Sequence, residues 1–107
     1  MSKTLNGYGI FVKSHELAKI LNIPHQQVLK DIKEEIVNTS KFSIELPDNT
    51  FVDRTELDEN NLRRNIYLIS AEGILLLLPR YGYENYTSKH KLIDLYNKLT
   101  IISKSVY

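Results

Sequence analysis

Residues 14–36 admit few folds. Leu17, Ala18 and Leu21 give one short helix an apolar face, and Val28, Leu29, Ile32 and Ile36 give a second helix another. Between them stands Asn22-Ile-Pro24. Asn tolerates the left-handed backbone that a sharp turn needs. Ile23 suits the corner as a plug, and Pro24 suits the first turn of the next helix, where a missing N–H costs nothing. Ala18 is small enough to let the second helix cross close by. Ser14 is placed to cap the first helix, with Glu16 near its positive end. Two amphipathic helices around so tight a turn make a helix-turn-helix. Its DNA-binding versions lay the second helix in the major groove, though the same unit also occurs in proteins that never touch DNA.

The second helix, about residues 24–37, carries a polar face of Gln26, Gln27, Lys30 and Glu34, with Lys33 at its edge. Gln pairs in two places with adenine, and Lys reaches guanine or phosphate. Gln26, Gln27, Lys30 and Lys33 are therefore candidate DNA contacts, and Glu34 and Glu35 confine contact to the first two turns. The same residues also suit a plain solvated helix face. His25, near the apolar side at the helix start, reads as a packing or capping residue rather than a catalytic one.

The next stretch reads as a β-hairpin within residues 42–69. Phe42, Ile44 and Leu46 alternate with polar residues, Pro47-Asp-Asn49 is turn chemistry, and residues 50–52 and 65–69 are strand candidates. Ile10-Phe-Val12 is a further short strand candidate, able to pair with the hairpin. A hairpin after two helices is the wing of a winged helix. Wings that touch phosphate are usually basic; this one is acidic, so its tip is expected either to avoid DNA or to meet a protein through Glu56, Asp58 and Glu59. Arg63 and Arg64 are the better phosphate candidates.

Ser70 then caps a third helix that runs through Leu78 and stops near Pro79. Leu75 to Leu78 cannot all face one way. A connector with Tyr81, Tyr83 and Tyr86 leads to a last helix, about residues 88–103, capped by Thr87. On it Leu92, Leu95, Leu99 and Ile102, broadened by Tyr96, form an apolar stripe. The stripe is expected to be a homodimer seam bringing two half-sites together; the competing reading is the closing face of the monomer core.

At 107 residues, 42% hydrophobic and 25% charged, the chain is one ordinary globular domain, with residues 1–9 as a flexible arm and 10–107 as the folded unit. The net charge of +1 hides a division: residues 1–41 carry six Lys against four acids, 42–61 one Arg against six, and 62–107 seven Lys or Arg against three. The absence of cysteine excludes disulfides, thiolate zinc sites and cysteine nucleophiles. His15, His25 and His90 show no metal-like pairing, and no glycine-rich phosphate loop is present. Neither a cofactor nor an enzymatic activity is expected. No run is long enough to cross a membrane and no signal peptide is visible, so a cytoplasmic location is expected.

Three pieces of the chain resemble the phage Rha-type regulatory proteins of temperate phages and prophages. One is Val12-x-Ser14-x-Glu16-x-Ala18 followed by His25-x-x-Val28-Leu29-x-Asp31-Ile32. The second is Tyr67-Leu-Ile-Ser-Ala-Glu-Gly73. The third is Leu75-Leu-Leu-Leu-Pro-Arg-Tyr-Gly82 followed by Lys91-Leu-Ile-x-x-Tyr-Asn97. Together they span about residues 10–99. The resemblance implies a regulator acting on double-stranded DNA in a bacterial host cell. The expected fold is α+β, a winged helix-turn-helix (residues 10–37) with a small hairpin wing (42–69) and a C-terminal helical pair (70–103). The alternative function is a small modulator that binds a phage or host protein, such as an antirepressor, on the same fold.

Overall fold

The computed structural model describes residues 11–43, 45–47, 49–83 and 85–105, the last five for their backbone alone. The elements follow in the order β1 (Val12–Lys13), α1 (Ser14–Leu21), α2 (His25–Lys41), β2 (Phe51–Leu57), β3 (Arg63–Ile69), α3 (Ala71–Gly82) and α4 (Tyr86–Ser105). The result is an α+β domain with four helices and a three-stranded antiparallel sheet, an arrangement compatible with a winged helix. The arm read over residues 1–9, Ile10 and the Ile102 side chain lie outside the described residues.

The sheet order is β1-β3-β2. β3 is central because it alone carries a continuous apolar end: Ile66, Tyr67 and Ile69 are buried. Ile69 pairs with Val12 on one side and Phe51 on the other. β1 therefore lies across the sheet from the wing strand, with α1 following it directly. At the far end of the hairpin, Asp58 Oδ1 accepts from the backbone N–H groups of Asn60 (2.8 Å) and Leu62 (2.9 Å). Asn61 takes the left-handed conformation there, at φ 62°.

Two junctions set the packing. Asn22 stands at φ 57°, ψ 47°, and the N–H of Ile23 bonds the Ala18 carbonyl at 3.0 Å, closing the turn between α1 and α2. Ser70 caps α3 through Gly73 N and donates its own hydroxyl to the Thr50 carbonyl at 3.2 Å. Gly73 is required by this approach, since a Cβ there would lie 2.7 Å from the Thr50 oxygen. α3 and α4 then form an antiparallel pair whose Ile74, Leu77, Leu92, Leu95 and Leu99 join Leu17, Val28, Ile32 and Ile69 in one core.

The stripe on α4 packs inward. Leu92, Leu95 and Leu99 are 0%, 5% and 1% exposed and Tyr96 packs against the same core, so these side chains close the monomer and offer no seam to a second copy. The expected strand at 41–46 is absent among the described residues: α2 continues to Lys41, Ser43 turns at φ 56°, and Phe42 is 75% exposed. Among the described residues of this stretch none is assigned to a strand. α3 runs through Pro79 to Gly82 instead of stopping. Pro79 leaves the Leu75 carbonyl without its helix bond, but Leu75 lies on the solvent side of the helix, where water can take that place. Three caps also differ. Lys13 precedes α1, with Glu16 accepting from its N–H at 2.9 Å, while Ser14 turns inward. Pro24 takes the cap position of α2. Asn85, not Thr87, precedes α4 and accepts from Ser88 N at 3.0 Å.

Leu92→Ala is expected to lower unfolding free energy by about 2–5 kcal/mol in urea titrations. Ile93→Ala, on the outer side of the same helix, should stay within about 0.5 kcal/mol. A stable, monodisperse Leu92→Ala protein would return the stripe to an intermolecular role.

Candidate nucleic-acid interface

The groove between the second helix of the helix-turn-helix and the root of the wing brings together residues far apart in the chain. α2 buries Val28 and Ile32, which turns Gln26, Gln27, Lys30, Lys33 and Glu34 outward. Arg63 and Arg64 open β3 beside it. The groove is lined by Gln26, Lys30, Lys33, Glu34, Arg63 and Arg64 around Leu29 and Val37. At 1.5 Å per residue, Gln26 to Lys33 covers about 10 Å, roughly three base-pair steps at ~3.4 Å each. Five of the six sequence candidates thus face one concave surface. Gln27 stands apart on the α3-facing flank of α2, about 100° around the helix from Gln26, and donates its side-chain N–H to Asp31 Oδ1 at 2.9 Å.

The acidic residues near this surface are held within the protein. Arg80, at the end of α3, reaches Glu35 at 2.7 Å, Glu34 at 3.2 Å and Asp31 at 3.6 Å. Glu56 is held by Lys13 at 3.0 Å and Arg64 at 2.9 Å. Lys30, Lys33 and Arg63 make no ion pair among the described residues, and the Arg63 guanidinium donates to Thr55 Oγ1 at 3.1 Å. The cations of the groove are therefore less compensated than its acids, a net field that favours phosphate. Beside Arg80, Tyr81 donates its hydroxyl to Asp31 Oδ2 at 2.5 Å. Burial, then this bond, push the Tyr81 pKa far above the ordinary value.

Behind the groove, Ser14 connects helices and sheet. Its fully buried Oγ accepts the Tyr67 backbone N–H at 3.0 Å and meets His25 Nε2 at 2.8 Å. The serine oxygen has one proton and a second lone pair, so it can serve either tautomer of a neutral His25 at Nε2. The His15 ring stands edge-on to His25 at 5.9 Å, with Nδ1 3.6 Å from Glu56 Oε2. Burial holds both histidine pKa values below ordinary, helped by Arg64 and, for His25, by His15. Burial pushes Glu56 up, but its hydrogen bonds from Lys13 and Arg64 prevail and hold it below the ordinary carboxylate value. Among the described residues no group of three potential ligands is placed to hold a metal, and no helix is long and apolar enough to cross a membrane.

Residues 12–100 match the family model of the phage regulatory protein Rha. The chain belongs to that family. No curated protein and no solved structure matches it. The Rha match runs from β1 into α4, so α1, α2, the hairpin, α3 and most of α4 lie within it.

Several residues of this Rha-family site are not visible as such in the sequence. Arg80 sits beside a proline in an apolar helix, and Asp31, Glu34 and Glu35 look like free surface acids until the fold brings Arg80 to them. The only hint is that three carboxylates share one side of α2. Ser14 has the residue type of a cap and serves instead as a bridge. The acidic wing also changes character. Glu56 is an ion-pair centre and Asp58 a turn former, so of the three acids expected to meet a protein only Glu59 has no structural role among the described contacts. Reversing all three would disturb the wing itself.

The histidine pair makes stability depend on pH. The folded pKa values lie below the ordinary 6.5. Above 6.5 neither state holds these protons; as pH falls below it the unfolded chain binds them first, and stability declines. Glu56 works at lower pH, its contribution being present above its ordinary 4.5 and lost as pH falls through the folded value. Thermal melts are expected to be level from about pH 8 to 7 and to fall between about pH 6.5 and 5. A melting temperature that is constant across the lower interval would contradict the neutral-histidine arrangement.

Proposed function

We propose that this regulator binds double-stranded DNA sequence-specifically, with α2 in the major groove and the root of the wing on adjacent phosphates. The observation that carries the reading is the shared groove: Gln26, Lys30 and Lys33 from α2 face Arg63 and Arg64 from β3. Amides and cations on a helix that turns one exposed face outward supply base-edge donors and acceptors. Arginines on a neighbouring strand supply the sequence-independent hold on the backbone. Arg80 supports this reading without touching DNA, because its pairing with Glu34 and Glu35 removes repulsion from the face that approaches phosphate.

Fluorescence anisotropy with labelled duplexes from the surrounding phage or prophage region tests the reading. Four cationic contacts predict a log–log salt slope of about −4 for each bound copy. Arg63→Ala should weaken every duplex alike and make the slope shallower by about 1. Gln26→Ala should reduce preference for the specific duplex by about 1–3 kcal/mol while leaving the slope intact. Absence of duplex binding by a folded protein at low salt would overturn the reading. That outcome would favour a protein partner at the wing tip, where Leu57 and Leu62 are 56% and 64% exposed beside Glu59.

A further inference from the structure

We infer that Asp31 and Tyr81 are positioning residues that fix the Gln27 side-chain amide for pairing with an adenine base. The inference rests on the DNA-binding reading and assigns one base to one residue.

A glutamine amide offers an oxygen acceptor and an NH2 donor that exchange places when the group flips. Gln27 has no such freedom. Its Nε2 lies 2.9 Å from Asp31 Oδ1, and a carboxylate accepts but does not donate. A flipped amide would set two acceptors against each other. Asp31 is itself held: it is 4% exposed, Tyr81 donates to its Oδ2, and the Arg80 guanidinium stands 3.6 Å from its Oδ1. The phenol of Tyr81 is kept protonated by burial and by this bond, so it remains a donor throughout the physiological range.

The consequence lies on the other side of the amide. With one N–H directed at Asp31, the exposed Gln27 keeps Oε1 and its second N–H for a ligand at the α3-facing flank of α2. Adenine offers a donor at N6 and an acceptor at N7, matching both. Guanine offers two acceptors on that edge, cytosine one donor and thymine one acceptor, so each leaves a Gln27 group unmatched or opposed. Gln26 makes no side-chain hydrogen bond among the described residues and must order its amide on binding. Gln27 has that ordering already supplied by α3, which lowers the cost of recognition.

Binding selections on a pool of random-sequence duplexes test the assignment, comparing wild type, Gln27→Ala, Tyr81→Phe and the double variant. Gln27→Ala is expected to lose adenine preference at one position by about ten-fold. Tyr81→Phe, which removes only a hydroxyl, should lose several-fold at the same position. The double variant should be no worse than Gln27→Ala. Affinity of Tyr81→Phe for the unselected pool, and its salt dependence, should match wild type, which a folding defect would not spare. Full adenine preference in Tyr81→Phe, a loss spread over all positions, or additive losses in the double variant would overturn the assignment. A wild-type protein that binds no duplex defeats the DNA reading instead. The free protein then still tests the positioning: Gln27 side-chain amide exchange, followed by NMR, should be faster in Tyr81→Phe, and equal exchange would overturn it.

Discussion

The buried hydroxyl of Ser14 decides how α2 sits relative to the hairpin. It meets the first residue of α2 through His25 and the middle of β3 through the Tyr67 N–H, and it starts α1 itself. Three elements therefore share one oxygen atom. An alanine there would leave a backbone N–H and an imidazole nitrogen short of partners in a site with no room for bulk water, a cost of about 1–3 kcal/mol for each orphaned group. A hydrophobic contact between the same elements would tolerate sliding; a shared hydrogen-bonding atom does not. The angle between α2 and the hairpin, and with it the width of the groove holding Lys30 and Arg63, follows from that constraint.

Charge organises the surface in the same spirit. Ion pairs near a protein surface contribute little stability by themselves, and Glu34, about half exposed, is such a case. What Arg80 changes is the field. It holds Asp31 and Glu35 on the α3 side of α2 and Glu34 at the groove edge, while Lys30 and Lys33 line the groove without an ion pair among the described residues. Glu56 does the opposite on the sheet, sitting between Lys13 and Arg64 and tying the start of α1 to the root of the wing. An almost neutral chain thereby acquires a cationic groove. Net charge is silent about this because the separation is made in three dimensions.

Local chemistry was legible in the sequence where one residue type has one good use. Asn22 at a left-handed turn and Ser70 before α3 occupy the positions their chemistry suggests, while the leucines of α4, expected at a homodimer seam, close the monomer core. Ambiguity arose where two periods or two caps compete. Phe42, Ile44 and Leu46 alternate like a strand, yet α2 extends to Lys41 and no strand is assigned there among the described residues. Asn85 and Thr87 are both good caps, and the start of the helix settles on the first. Five of the six proposed DNA contacts converge on one groove because helix periodicity and the hairpin root were both readable. The roles of Arg80, Tyr81 and Asp31 were not readable, since they depend on which side of α2 meets α3, a contact about fifty residues long in sequence.

The helical pair after the wing is therefore more than a cover for the core. A helix-turn-helix and a three-stranded sheet alone would leave Leu17, Val28, Ile32 and Ile69 with one open side; Ile74, Leu77, Leu92, Leu95 and Leu99 fill it. Once α3 must pack there, its C-terminal turn falls beside the middle of α2, and the residues at that turn reach the acids on that side of the helix. Arg80 pairs with Glu35, and Tyr81 donates to Asp31, which also accepts from the Gln27 amide. Lys91 of α4 completes the attachment by donating to the Ile20 carbonyl at the end of α1, at 3.1 Å. Each attachment touches the same helix at a different place: Ser14 at its first residue, Arg80 at Glu34 and Glu35, Tyr81 at Asp31. Under the proposed function, a substitution in α3 would therefore alter recognition while leaving every groove residue in place.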